Sequence, residues 1–147
     1  MTLRFVVPGE PVSQGSMHSP KGTSKMLHSK RGRGRTVAQW RKAAKQEAHL
    51  VMRGRALIDG PVSVEVVFYL HRPISRPNAP YPDRKPDLDK LCRALGDSLE
   101  GVVLTQDSRI VHWSARKAYA DEHSTGLPCT VVRVEEILSP PPRRIHL

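Results

Sequence analysis

Aromatic residues and cysteines are both scarce in this sequence. Aromatic residues make up 5% of the 147 residues, and the two cysteines, Cys92 and Cys129, belong to no Cys-x-x-Cys or Cys–His spacing. We therefore expect two reduced thiols rather than a disulfide or a zinc site. The seven histidines are scattered and no two lie four residues apart, which argues against a histidine-bound metal.

Long hydrophobic runs are also missing. No apolar stretch reaches the ~20 residues that a membrane helix needs. The first apolar stretch, Leu3–Val7, is too short for a secretion signal and is followed at once by Pro8 and Gly9. We expect a soluble cytoplasmic protein with one domain over residues 1–138 and a disordered basic tail over 139–147.

Acidic residues are few, and residues 11–46 contain none of them. Lysine and arginine number 24 against 14 aspartates and glutamates, so the formal net charge is +10. A surplus of this size predicts a polyanionic partner, either nucleic acid or an anionic membrane surface. The Gly- and Ser-rich part of the acid-free stretch, about residues 13–36, predicts a flexible basic loop.

Hydrophobic periodicity predicts four strands and two helices. Residues 71–86 hold five prolines and therefore predict a stiff loop. The element order indicates an α+β domain with a small mixed sheet and two helices packed on it, in which the last two strands are antiparallel neighbours. The predicted strands are Leu3–Val7, Val62–Leu70, Ile110–Tyr119 and Pro128–Ile137, and the predicted helices are Val37–Met52, capped by Thr36, and Leu88–Leu99, capped by Asp87.

Three aspartates stand out in this basic chain. Asp87 and Asp89 lie at the start of the second helix, and Asp107 follows before the next strand. If that strand packs beside the helix start, the three carboxylates converge and form a site for Mg²⁺ or Mn²⁺. Each aspartate also has an ordinary structural interpretation, as a helix cap, a first-turn acid or a turn residue. Asp97 could pair with Arg93 one turn earlier in the same helix, pair with a partner chain or approach the metal, and of these we expect the pair with Arg93.

The residues around these acids resemble the RusA family of Holliday-junction resolvases. The run RKPDLDKLCRALGDSL, residues 84–99, is similar to a family segment in which DLDN opens a helix that ends in D-[AS]-L. The later run QDSRIV, residues 106–111, is similar to the family's D-D-[AS]-x-[VI] segment, and residues 8–15 resemble the Gly-x-Pro start of many members.

The resemblance implies a homodimeric, Mg²⁺-dependent endodeoxyribonuclease, with Mn²⁺ as a possible substitute. Such an enzyme nicks two of the four strands of a four-way DNA junction at symmetric positions, in recombination or repair, in a bacterial or phage-infected cytoplasm. By position, Asp87, Asp89 and Asp107 match the family's essential metal-binding acids. Arg93 stands where the family has a catalytic lysine.

Three residues depart from the family pattern. Arg93 replaces the lysine, and because arginine stays protonated it can stabilise charge on the reacting phosphate but cannot act as a base. Lys90 replaces an asparagine and offers a second cation to the catalytic site. Gln106 replaces the first acid of the D-D pair, which matters little if only the second acid binds metal.

The basic side chains near the loop and the acids are the candidate DNA-binding residues. Trp40 lies on the first helix's apolar stripe and is expected in the core. Trp113 is expected to be buried or at the dimer interface, for which the strand Val62–Leu70 is the other candidate. Tyr69 and Tyr81 are candidates for insertion into a junction. The candidate DNA-binding residues are Lys21, Lys25, Lys30, Arg31, Arg33, Arg35, Arg41, Lys42, Arg84 and Lys85.

Three other functions compete with junction resolution. A non-enzymatic DNA-binding protein would explain the charge but not the three acids. A nuclease of the same family could act on other branched DNA, such as forks or flaps. An RNA-binding protein would also be basic, but the sequence carries no RNP or KH signature.

Overall fold

The computed structural model describes residues 1–13, 34–140 and 143. The predicted flexible loop and the predicted disordered tail lie largely outside the described residues. Four strands and two helices make up the described chain, with short 3₁₀ turns at Asp107–Arg109 and Ala120–Glu122. They are β1 (Thr2–Pro8), α1 (Val37–Met52), β2 (Val62–Leu70), α2 (Leu88–Leu99), β3 (Ile110–Tyr119) and β4 (Cys129–Glu136).

The four strands form one mixed sheet in the order β1-β4-β2-β3. Strand β4 pairs antiparallel with β1 and β2, whereas β3 pairs parallel with β2. The predicted α+β domain with a mixed sheet and two helices is therefore confirmed. The predicted pairing of β3 with β4 is wrong. Strand β3 reaches the sheet through α2, a crossover that lets it run parallel to β2, and β4 then pairs with the other edge of β2.

The core lies between one face of the sheet and the two helices. Alternate residues of β2, from Val62 to Leu70, are buried, as expected for a strand with one face on the core. Trp40 is fully buried on α1, as predicted, and α2 buries Leu91, Leu95 and Leu99. Thr36 caps α1 through a capping box with Gln39, which satisfies two backbone donors at the helix start.

Strand β2 has no free edge for a second subunit, so the part left for the predicted dimer surface is its face opposite the helices, which carries Ser63, Glu65 and Val67. It pairs with β3 along one edge and with β4 along the other, and alternate side chains are buried against the helices. Trp113, the other candidate, lies on the edge strand β3 and is 36% exposed. The prediction that both cysteines are free is confirmed, with Cys129 buried and Cys92 half-buried.

In the part of the chain that the structure describes, neither helix has the length and hydrophobicity needed to cross a membrane.

Candidate active site

One face of α2 carries polar residues and faces away from the core. Asp89 and Arg93 are four residues apart, so they lie on the same side of the helix, and both are exposed; Gly96, one turn further along, is buried against β3. Leu91, Leu95 and Leu99 lie on a different side, which is buried. The burial of this leucine stripe therefore fixes the direction in which Asp89 and Arg93 point.

The polar face of α2 and the start of β3 enclose one cleft, with a volume of about 240 Å³. The 3₁₀ turn that carries Asp107 leads directly into β3, and β3 is the strand at this edge of the sheet. The cleft therefore holds two carboxylates and a guanidinium from two separate elements. Its lining consists of Asp89, Cys92, Arg93, Gly96, Asp107, Ile110 and Trp113.

Asp87, the third predicted acid, does not line this cleft. It occupies the N-cap position of α2, but its side chain makes no capping hydrogen bond, which corrects the prediction that it caps the helix. Its carboxylate instead lies 3.4 Å from the Lys90 ammonium. Across residues 1–13 and 34–140, no three His, Cys, Asp or Glu side chains are grouped closely enough to hold a metal ion. Asp89 and Asp107 line the same cleft, and their convergence on one cation stays a prediction.

The backbone around Asp107 is held by two further carboxylates. The Asp107 N–H donates to Glu100 Oε1 at 3.1 Å, from the end of α2. Asp59 accepts from the Thr105 hydroxyl at 2.6 Å and from the Arg109 guanidinium at 2.9 Å. The Thr105 hydrogen bond, followed by that of Arg109, holds the pKa of the Asp59 carboxyl below its usual range. Together these contacts fix the turn that presents Asp107.

Lys117 holds the segment that precedes Asp87. Its Nζ donates to the carbonyl oxygens of Arg84, at 2.8 Å, and Pro86, at 2.9 Å. Because Lys117 lies on β3, this contact ties the edge strand to the entry of α2. The strand that follows Asp107 therefore also positions the start of the helix that carries Asp89.

Replacing Lys117 with methionine should loosen this entry segment. The change keeps most of the apolar side chain but removes the ammonium, and hydrogen bonds to charged groups contribute about 1.5–3 kcal/mol each. We expect the free energy of unfolding, measured in urea, to fall by about 1.5–3 kcal/mol. Amide hydrogens of residues 84–90 should also exchange faster than in the wild type. Lys42→Met, at an exposed position on α1, should change stability by less than about 0.5 kcal/mol. Unchanged amide exchange over residues 84–90 in Lys117→Met would show that Lys117 does not hold this segment in place.

Two of the predicted DNA-binding arginines have partners within the fold. Arg35 Nη2 donates to the Pro8 carbonyl at 2.8 Å and the Glu10 carbonyl at 3.3 Å, and partial burial lowers the pKa of its guanidinium. The contact depends on Gly9, whose φ is +92° and where a Cβ would lie 2.7 Å from Arg35 Nη2. This guanidinium therefore ties the start of α1 to the end of β1.

Arg41 is the other arginine with a partner. It pairs with Asp97 at 3.0 Å and so links α1 to α2. The predicted pairing of Asp97 with Arg93 is wrong, because Asp97 pairs with Arg41 of α1 instead. Arg93 is thereby left exposed in the cleft, with no ion pair among the described residues.

The remaining candidate DNA-binding residues fall into two groups. Lys42, Arg84 and Lys85 are exposed. The others lie outside the described residues and stay predictions; they are Lys21, Lys25, Lys30, Arg31 and Arg33.

The thiol in the cleft is not an activated nucleophile in the metal-free protein. Burial, together with the negative charge of Asp89, raises the pKa of Cys92 to about 11. The thiol is therefore protonated near neutral pH, whereas thiolate is the form that attacks or binds metals. The other potential ligands in the cleft are carboxylate oxygens, the donors that hard cations such as Mg²⁺ prefer.

The proline-rich loop is pinned by Arg72. Its guanidinium donates to Asp121 at 2.6 Å and to the Ala79 carbonyl at 2.6 Å, and it stacks 4.0 Å from the centre of the Tyr119 ring. Tyr81, a predicted junction-insertion residue, is 72% exposed on this loop. Tyr69, the other candidate, is half-buried with its ring centre 4.8 Å from that of His123, so it is less accessible to DNA.

Comparison with known proteins agrees with this arrangement. The chain is 31% identical over 134 residues to the Bacillus subtilis (strain 168) protein named "Uncharacterized protein YqaN", and the match covers 82% of this chain and 89% of that protein. The sequence profile of the family described as Endodeoxyribonuclease RusA matches residues 8–131, which include Asp89, Arg93 and Asp107. The chain with this acid-lined cleft therefore belongs to the RusA endodeoxyribonuclease family.

Proposed function

We propose that the protein is a Mg²⁺-dependent endodeoxyribonuclease that resolves four-way DNA junctions by paired nicking. The observation that carries this proposal is the cleft in which Asp89 and Arg93 of α2 meet Asp107 of the following turn. Acids that bind a cation and an arginine that binds a phosphate are the groups needed to hydrolyse a phosphodiester.

The carboxylates present fit a magnesium ion. Mg²⁺ is commonly held by one or two protein carboxylates, with water and substrate phosphates completing its coordination. Asp89 and Asp107 would hold it here, and Asp87, one residue before α2, is the third candidate ligand. When bound, the ion supplies Lewis-acid polarisation of the phosphate and makes an attacking water more acidic.

Arg93 is the cation we assign to the phosphate in the transition state. It lines the cleft, is exposed, and forms no ion pair within the described residues, so its donors are available to a substrate oxygen. Lys90 is the weaker candidate, because its ammonium lies beside Asp87 and outside the cleft lining. A guanidinium stays protonated, so Arg93 would stabilise charge and take no proton.

The basic surface would bind the DNA backbone without reading sequence. Arg84 and Lys85 are exposed and come directly before the segment that leads into Asp87. Phosphate contacts at these two residues would place the DNA strand next to the acids. The predicted contacts from residues 21–33 and from Lys42 would extend this surface along the arms of the junction.

Symmetric nicking requires two active sites related by a two-fold axis, because a four-way junction itself has two-fold symmetry. We therefore propose a homodimer that acts in DNA recombination or repair, in the cytoplasm of a bacterium or of a phage-infected host. A nuclease of this family that prefers forks or flaps is the second candidate, since the same cleft chemistry serves any branched DNA.

The test is cleavage of a labelled four-way junction, a flap and a linear duplex at matched salt, with Mg²⁺ and with EDTA. We expect Mg²⁺-dependent nicks at symmetric positions in the junction, with 5′-phosphate and 3′-hydroxyl ends. Faster cleavage of the flap would favour the second candidate. Binding of all three substrates without any cleavage in Mg²⁺ or Mn²⁺ would contradict a nuclease function.

A further inference from the structure

Trp113, which the sequence predicts to be buried or at a dimer interface, lines the cleft. It pairs in register with Val64 of β2, so its side chain is on the helix-facing side of the sheet. Because β3 is the edge strand, α2 covers this position only in part, and Trp113 is 36% exposed. Trp40, the other tryptophan, is fully buried. The two indoles therefore have different environments.

The indole lies beside Gly96 of α2, with room for no more than a small side chain between them. A Cβ at Gly96 would lie 3.7 Å from Trp113 Cζ2 and 3.8 Å from Ile110 Cδ1, both ordinary contact distances. The indole is thus supported by the helix and by Ile110, while its remaining surface lines the same cleft as Asp89 and Asp107. This arrangement places a supported aromatic ring beside the proposed catalytic groups.

The surroundings of Trp113 indicate what it binds. The cleft of about 240 Å³ is smaller than the ~300–1,000 Å³ typical of small-molecule pockets, so it does not indicate a separate small-molecule ligand. The two carboxylates beside the ring argue against the centre of a protein interface, where acidic residues are depleted. Nucleobases stack on aromatic side chains whatever their sequence, because every base has a π-face.

We propose that Trp113 is a stacking platform for an unpaired nucleobase next to the scissile phosphate. This inference rests on the proposed function and adds a substrate requirement to it: the DNA must expose a base at the branch point. Phosphate contacts alone would not distinguish such DNA from a duplex, whereas a stacking site favours substrates in which a base is unpaired or costs less to unpair, as at a branch point. Trp113 would therefore contribute to the preference for branched DNA.

The test compares Trp113→Ala, Trp113→Leu and Trp113→Phe with the wild type, by equilibrium binding to a labelled four-way junction in EDTA. Loss of one stacked base corresponds to roughly 5- to 150-fold weaker binding. We expect that loss for the alanine and leucine variants and near wild-type binding for phenylalanine. Leucine keeps apolar packing against Gly96, so weaker DNA binding by Trp113→Leu would be due to the loss of base stacking and not to the loss of packing.

Junctions with a single abasic nucleotide, placed in turn at each position around the branch point, identify the stacked base. At one abasic position we expect the wild type to bind as weakly as Trp113→Ala binds the intact junction. Trp113→Ala should bind that abasic junction no more weakly than it binds the intact one. If every abasic junction weakens binding equally in the wild type and in Trp113→Ala, the stacking platform is refuted. Light scattering measures the molar mass of Trp113→Ala. If the variant has a lower molar mass than the wild type and loses DNA binding only where it dissociates, Trp113 belongs to a subunit interface and the proposal is overturned.

Tryptophan fluorescence gives an independent measurement. Since Trp40 is buried, the difference between wild type and Trp113→Phe isolates the emission of Trp113, which junction DNA should shield from acrylamide. Binding in EDTA does not depend on cleavage, so a protein that stacks the base but never cuts would refute the nuclease function alone. A wild-type protein that binds no DNA would overturn both proposals.

Discussion

Asp89→Asn and Asp107→Asn should each nearly abolish junction cleavage while leaving folding and DNA binding intact. Both carboxylates line the same cleft, and both are exposed, so a neutral amide of the same shape costs the fold little. Loss of even an outer-shell partner of a metal site reduces activity by roughly 10–100-fold, and loss of a direct ligand should cost more. Single-turnover rates in Mg²⁺ measure cleavage, urea unfolding measures folding stability, and equilibrium binding in EDTA measures DNA affinity.

Glu65→Gln is the matched control for these variants. Glu65 alternates with the buried Val64 and Val66 on β2, so it lies exposed on the sheet face opposite the helices. The change removes one negative charge from the same domain but not from the cleft, and it should leave the cleavage rate within about twofold. If Asp89→Asn cut the junction as fast as Glu65→Gln, the assignment of the acids would be wrong.

Arg93→Gln should reduce the cleavage rate by about 10²–10³-fold, the usual effect of removing one preorganised donor to a developing charge. Arg93→Lys should retain much of the rate, because a lysine ammonium carries the same charge and is the residue that the family resemblance places here. Ground-state DNA affinity should change much less than the rate in both variants. Single-turnover rates at saturating enzyme separate the two effects.

Lys90→Gln is the control for Arg93, because its ammonium lies one turn away and pairs with Asp87 instead of lining the cleft. We expect a smaller reduction in rate than for Arg93→Gln. The opposite order, with Lys90→Gln the slower enzyme, would show that Lys90 takes the role of the family lysine and that Arg93 does not.

Local patterns predicted the secondary structure well. The alternation in β2 and the stripes of α1 and α2 depend on residues close in sequence, so their bounds agree with the structure to within a residue or two. The insertion of β4 between β1 and β2 was not predictable in this way, because strand order depends on long-range pairing between similar aliphatic strands. Chain neighbours such as β3 and β4 are the natural first guess, and here they do not pair.

The candidate site was also predicted only in part, because local sequence patterns do not reveal contacts between distant segments. Asp89, Arg93 and Asp107 were identified from a motif and do line one cleft. The residues that support it, such as Asp59 and Lys117, contact segments 31 to 50 residues away and carry no local pattern. Glu100 is only seven residues from Asp107, yet its contact depends on how the tight turn after α2 folds back.

The shared cation site is tested most directly by titrating Mn²⁺ into the protein and following the free ion by electron paramagnetic resonance. If Asp89 and Asp107 hold the same ion, Asp89→Asn and Asp107→Asn each lose the same binding event, and the double variant loses no more than either alone. Glu65→Gln should bind Mn²⁺ as the wild type does. Undiminished Mn²⁺ binding in either single variant, or independent losses that add in the double variant, would contradict a single site built from both acids.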